Sequence, residues 1–225
     1  SFCQIRFNEP VNDRFNMSIE EIAAYLKHPN PQDFLKISQN KIEEIDQQIQ
    51  QLQVLKQVFE QRQQSLARSE QIHDGQIEVE SFAAHHYLLT PMPVEDNPMR
   101  NMQQIMQHLQ SAWEHSSYKA GCGSYISLEK TLQGQFDVYD GVFTPVDPQD
   151  DDSLFLLRPA GQYLCGYSVG SWDKLPELYS HMIAYAKKHH LALTGNCYEI
   201  GLNEFAISRP EEYVARVSIL IDPKQ

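Results

Sequence analysis

The sequence predicts an α+β fold: an antiparallel sheet with two helices on one side, built from two tandem βαββ units and preceded by one long helix. Three observations carry this reading. Residues 32–69 contain neither Gly nor Pro and repeat apolar side chains at a seven-residue spacing. The remainder alternates between strand-like and helical apolar periods. The order strand, helix, strand, strand occurs twice, on either side of the acidic stretch Asp147-Pro148-Gln149-Asp150-Asp151-Asp152.

A chain of 225 residues, 41% of them hydrophobic, can form a domain of about 150 residues with an appendage. No apolar run approaches the roughly 20 residues of a membrane helix, and no segment reads as a signal peptide, so the expected compartment is the cytoplasm. Cys3, Cys122, Cys165 and Cys197 are far apart and form no CxxC pair. They are expected to be buried, reduced thiols rather than zinc ligands or a disulfide framework. With 18 Lys and Arg against 30 Asp and Glu, the net charge of -12 repels nucleic acid and attracts cations.

In chain order, Ser18-Ile19-Glu20-Glu21 has capping-box spacing, with Met17 and Ile22 placed as a hydrophobic staple. A short helix is expected to about Lys27, stopped by His28-Pro29-Asn30-Pro31. In the long helix, Leu35, Ile42 and Ile49 share one heptad position, and Ile45, Leu52, Phe59 and Leu66 share the position three residues on. Ser38, Lys56 and Gln63 interrupt the seam. The chain offers no second helix of similar length, so a homodimer through residues 32–69 is expected; the alternative is a helix lying on its own globular domain.

In the first unit, a strand over 77–89 precedes a helix opened by Asn97-Pro98, with Met102, Ile105, Met106, Leu109 and Trp113 as its apolar stripe. Strands over 123–128 and 136–146 follow. The acidic stretch lacks the glycine and terminal glutamate of a calcium loop and reads as a solvated linker. In the second unit, a strand over 162–169 leads to a helix starting near Trp172, with Leu175, Leu178, Tyr179, Met182, Ile183 and Ala186 on one face. Lys187, Lys188, His189 and His190 suit its C-terminal dipole. Strands over 194–202 and 213–221 complete it, and a groove between the two units is the expected ligand site.

One carboxylate stands out. Glu199 lies between Tyr198 and Ile200 in a predicted strand, and if it faces inward it needs a cation or a proton, because an isolated buried charge costs several kcal/mol. No lysine or arginine in the sequence must be its partner, which points to a cationic ligand. His85-His86 and His189-His190 invite a metal reading. Neighbouring side chains of a strand point to opposite faces, however, so no metal site is expected.

The chain resembles a MerR-family regulator with a multidrug-binding, GyrI-like effector domain. The carrying residues are Met17-Ser18-Ile19-Glu20-Glu21-Ile22, Tyr139-Asp140-Gly141-Val142-Phe143-Thr144-Pro145, Arg158-Pro159-Ala160-Gly161-Gln162-Tyr163, and Cys197-Tyr198-Glu199-Ile200 with Glu211-Glu212-Tyr213-Val214. The resemblance implies a remnant of a winged-helix DNA-binding region over residues 1–30, a coiled-coil helix over 31–70 and a GyrI-like effector domain over 75–225. Promoter DNA is then a partner only where the family's reader precedes Ser18.

The resemblance also implies a ligand-sensing acid at Glu199 and pocket tyrosines at Tyr139 and Tyr213. Phe143, Tyr167, Trp172 and Cys122 complete the expected ligand-binding set; Cys122 falls near where related pockets offer an aromatic and Gly201 where a branched aliphatic would line the wall, two departures from the family's pattern. Aromatic faces with one carboxylate suit hydrophobic or cationic small molecules. Neither a cofactor nor a catalytic residue is expected. The functional expectation is a ligand-responsive transcriptional regulator; the alternatives are a GyrI-like small-molecule hydrolase and a stand-alone drug-binding or gyrase-inhibitor-like protein.

Overall fold

The computed structural model describes residues 27, 30–92, 98–116, 120–147 and 155–223. The expected capping-box helix, the Asn97 cap and most of the acidic linker lie outside these residues. The chain divides into two compact units, Ser1–Lys56 and Gln57–Gln225. The boundary falls inside the long helix α1 (Pro31–Ser69), which starts as its sequence demands. The Asn30 side-chain oxygen accepts the Asp33 N–H at 2.8 Å, and Pro31 takes the first helical position. Most of the heptad residues are exposed, Leu35 by 67%, Leu52 by 65% and Phe59 by 69%, while Leu66 is half-buried.

The second unit holds β1 (Ile77–Phe82), β2 (His85–Pro91), α2 (Pro98–Glu114), β3 (Gly123–Ser127), α3 (Leu128–Leu132), β4 (Gly141–Val146) and β5 (Phe155–Arg158). It continues with β6 (Gly161–Val169), a 3-10 turn at Trp172–Lys174, α4 (Leu175–Lys188), β7 (Leu193–Gly201), a 3-10 turn at Pro210–Glu212 and β8 (Val214–Ile221). All eight strands form one sheet in the order β1-β6-β8-β7-β3-β4-β2-β5, with every neighbouring pair antiparallel.

The two βαββ units are β2-α2-β3-β4 and β6-α4-β7-β8, and β3 and β7 meet at the centre. Each unit also lends a leading strand to the other: β1 pairs with β6, and β5 pairs with β2. The expected strand over 77–89 is therefore two strands. The first half of the expected strand over 136–146 is loop, so Tyr139 precedes β4. After β3 the chain turns into the single turn of α3, which is too short to show a helical period in sequence.

Alternation along the strands sorts the side chains onto two faces. On the helix side, Leu175, Leu178, Tyr179 and Met182 of α4 pack on Ile126, Leu164, Cys197, Val217 and Ile219. Truncating the fully buried Met182 to alanine should cost about 2–5 kcal/mol. The second helix is tied down by a polar bridge: buried His108 of α2 lies 2.7 Å from Thr90 Oγ1 and 2.9 Å from Thr144 Oγ1. The opposite face carries two aromatic clusters, Tyr87, Tyr125, Phe143 and Tyr198 in one and Tyr163 and Tyr167 in the other. Buried Arg158 sits there with its guanidinium over Phe82, Tyr163 and Tyr87, 4.8 to 5.5 Å from the ring centres.

Candidate functional site

Glu199 lies in β7, with Val217 of β8 on one side and Ser124 of β3 on the other. It thus sits where the two βαββ units join. Its phase in the strand, shared with Cys197, turns the side chain toward the helices, and it is fully buried. Both carboxylate oxygens are occupied. The Tyr179 hydroxyl donates to Oε1 at 2.6 Å, and the Tyr139 hydroxyl donates to Oε2 at 2.9 Å.

These two donors arrive by different routes. Tyr179 belongs to the apolar stripe of α4, where its ring stacks on Phe136 with centroids 5.5 Å apart. Tyr139 comes from the loop before β4 and is positioned by its neighbour Asp140. That carboxylate accepts from Lys130 Nζ at 2.5 Å and from the Ser127 N–H at 2.6 Å. The Asp140 N–H also donates to the Tyr125 carbonyl at 3.0 Å. Burial works to raise the Asp140 carboxyl, but these hydrogen bonds outweigh it and hold the group below the usual carboxylate range.

The electrostatics of Glu199 follow from its surroundings. Burial pushes its carboxyl up to about 7, against the opposing pull of the Tyr179 and Tyr139 hydrogen bonds. Among the described residues no Lys or Arg forms an ion pair with it. The partner expected from outside is thus preceded by two neutral hydroxyls, which satisfy its lone pairs without cancelling its charge. Burial and the nearby Glu199 carboxylate in turn raise both tyrosines well above the ordinary phenol value.

The other expected site residues fall into two groups. Buried Tyr213 lies just before β8 and stacks on half-exposed Trp172 with centroids 5.1 Å apart. The Glu199 charge is one cause of the raised Tyr213 phenol, after burial and Glu204. Cys122 is half-buried, and burial followed by the Glu204 charge raises its thiol. Tyr213, Trp172 and Cys122 therefore remain compatible with the groove.

Phe143 and Tyr167 do not lie on the Glu199 face, and this corrects the expectation. Val142 and Thr144 take the helix side of β4, so Phe143 turns to the opposite face, 4.7 Å from Tyr87 and 5.1 Å from Tyr198 between centroids. Tyr167 pairs with Arg216 across β6 and β8, and its hydroxyl donates to Glu80 on the same outer face. A strand exposes only alternate residues to one side, and aromatic type alone does not reveal which.

Beside Tyr139 a cavity of about 180 Å³ opens between α2 and the sheet, lined by Met92, Asn101, Ile105, Ser124, Tyr139, Gly141 and Val142. Tyr139 thus lines this space and also bonds the buried carboxylate. Among the described residues no group of three His, Cys, Asp or Glu is placed to hold a metal ion. Cys122, Cys165 and Cys197 are free thiols.

Residues 83–222 match the GyrI-like small molecule binding domain family. The chain belongs to that family. Residues 14–69 match the MerR DNA-binding family, and the two together give the arrangement of a ligand-responsive transcriptional regulator of MerR type. The chain is 20% identical over 207 residues to the Multidrug-efflux transporter 2 regulator of Bacillus subtilis (strain 168), covering 90% of this chain and 74% of that protein. Among solved structures it is similar to EcmrR in a DNA complex, at 14% identity and a TM-score of 0.48, with 94% of this chain and 80% of that one covered. It is also similar to a hydrolase from Listeria innocua, at 13% identity and a TM-score of 0.43, with 66% and 93% covered.

The family resemblance put Tyr139 and Tyr213 beside Glu199 in the expected site, and Tyr139 bonds the acid; the expectation did not include Tyr179, which makes the shorter bond. Its signal was faint: a hydroxyl-bearing aromatic inside an otherwise aliphatic stripe needs a buried partner. Nothing in sequence names that partner as Glu199.

Proposed function

We propose that the GyrI-like domain senses lipophilic, cationic small molecules at Glu199, and that α1 joins two copies of the chain into a DNA-regulating dimer. The observation that carries the first part is a fully buried carboxylate served only by two tyrosine hydroxyls among the described residues. Such a group gains most from a ligand that brings positive charge into its low-dielectric surroundings. Tyr139 is the movable door: it is half-buried, it sits on a loop and it borders the cavity. Phe136, Tyr179 and Tyr213 offer ring faces to a cation without fixed hydrogen-bond geometry.

The multidrug regulator of Bacillus subtilis supports a drug-like ligand range by its name, and the match of residues 14–69 supports promoter DNA as the regulated partner. The exposed heptad side chains of α1 support the dimer. Hydrolysis is a poorer reading, because a general base must reach a water molecule. Glu199 is sealed, with both oxygens already hydrogen-bonded.

The test is calorimetry with tetraphenylphosphonium on the wild type and Glu199→Gln. The variant keeps the shape and removes the charge, so affinity should fall by about 2 to 5 kcal/mol, the order for losing one member of a desolvated charge pair. Because a cation favours the ionised acid, wild-type binding near pH 7 should release protons, seen as a dependence of the heat on buffer ionisation enthalpy. Equal affinity for the two proteins would sink the proposal.

A further inference from the structure

Two residues beyond Glu199, β7 ends at Gly201, and a second carboxylate meets the strand there. By alternation Gly201 shares the face of Glu199. A Cβ at Gly201 would come within 2.6 Å of both Glu204 Oε2 and the Tyr213 hydroxyl. The glycine therefore leaves the gap through which Glu204, from the loop after β7, folds back beside Tyr213. Its other oxygen stands 3.0 Å from where a Cβ on Gly121 would lie, next to Cys122 in sequence.

Glu204 lines a cavity of about 220 Å³ whose apolar walls include Pro145, Ile200, Leu202 and Phe205. The residue as a whole is exposed on its loop, but its carboxylate end is turned inward. Burial pushes that carboxyl up, with Arg62 opposing through its charge. Arg62 lies in the same cavity wall, and its guanidinium sits 5.2 Å from the centre of the Phe205 ring. No ion pair within 4.0 Å links Arg62 to Glu204 among the described residues. An inward carboxylate in a cavity, with no hydrogen bond reaching it among the described residues, is available to a ligand.

We propose that Glu204 is a second cation-recognising carboxylate, and that the effector site takes flat aromatic dications with one charge at Glu199 and the other at Glu204. The proposal rests on the reading of Glu199 as a cation site. Two residues of strand separate Glu199 from Gly201 by about 7 Å, and the Tyr213 ring, backed by Trp172, reaches Gly201 and offers a surface to a rigid spacer. A monocation at Glu199 leaves Glu204 to the field of Arg62. A dication competes with Arg62 for it.

Methyl viologen and N-methyl-4-phenylpyridinium form a matched pair of probes, sharing a flat biaryl shape and differing by one charge. Their affinities for the full chain are measured by calorimetry with the wild type, Glu204→Gln, Arg62→Gln and Glu199→Gln. Glu204→Gln should weaken methyl viologen by about fivefold, the upper range for a partly solvated charge pair, and leave the monocation unchanged. Arg62→Gln should strengthen methyl viologen selectively. Equal loss for both probes, or loss for neither, in Glu204→Gln would overturn the second site while leaving Glu199 intact. If Glu199→Gln binds both probes as the wild type does, the underlying cation reading fails, and this proposal fails with it.

Discussion

The Tyr179 hydroxyl donates to Oε1 of Glu199 across 2.6 Å, the shorter of the two hydrogen bonds that hold this buried acid. Both bonds favour the ionised carboxylate and so restrain a rise that burial drives to about 7. Replacing either tyrosine with phenylalanine should therefore move the acid further up, more for Tyr179→Phe than for Tyr139→Phe. Infrared difference spectra of the carboxyl stretch against pH would read this directly. An unchanged midpoint in Tyr179→Phe would show that the bond does not set the protonation of Glu199.

The same acid should shape stability against pH. Its folded-state value of about 7 lies above the ordinary 4.5, so between these values the folded chain binds more protons than the unfolded one. The contribution of Glu199 is therefore most favourable below about pH 4.5 and is lost as pH rises through about 7, by on the order of 3 kcal/mol at full ionisation. Glu199→Gln should remove that slope and be more stable than the wild type at pH 8 without ligand. Denaturant unfolding at pH 5, 6, 7 and 8 checks it, and parallel curves for the two proteins would refute it.

His108 predicts the opposite sign. Burial between Thr90 and Thr144 lowers its imidazole to about 4, so the unfolded chain binds the extra proton first. Its stabilising bridge is intact above the ordinary 6.5 and is lost as pH falls through about 4. His108→Gln, which keeps a polar group near both threonines, should flatten the acid limb of the stability curve. The loss should appear first in α2, as lower protection of its amides, relative to their intrinsic exchange rates, at pH 5 than at pH 7. Uniform protection of α2 across that range would count against it.

Much of this architecture was legible in the residues. The heptads of α1 and the two repeated strand-helix-strand-strand units follow from periodicity, whereas the acid in β7 stood out through its place between Tyr198 and Ile200 and through family resemblance. The exchange of β1 and β5 between the units was not legible, because a leading strand carries no mark of which edge it will join. Tyr139 illustrates the limit within the site. Its role as a neighbour of Glu199 came from family resemblance, whereas its loop position depends on the Lys130 and Ser127 contacts to Asp140, which join segments ten or more residues apart. Phe143 and Tyr167 failed for a simpler reason, since strand phase fixes the face and a shift of one residue reverses it.

The long helix supplies the last prediction. Leu52 and Ile45 occupy the same heptad position and are 65% and 41% exposed, with Phe59 one repeat further on. An apolar side chain fully removed from water contributes about 1.5–3 kcal/mol, so several along one seam are enough to drive association. Light scattering should give twice the 26.0 kDa chain mass. Ile45→Asp together with Leu52→Asp should shift the chain to monomer at micromolar concentration, because the buried seam would then carry like charges on both copies. Ligand affinity at Glu199 should be little changed, since neither residue belongs to the unit that holds the groove. A wild-type chain that scatters as a monomer would rule out the seam as an interface.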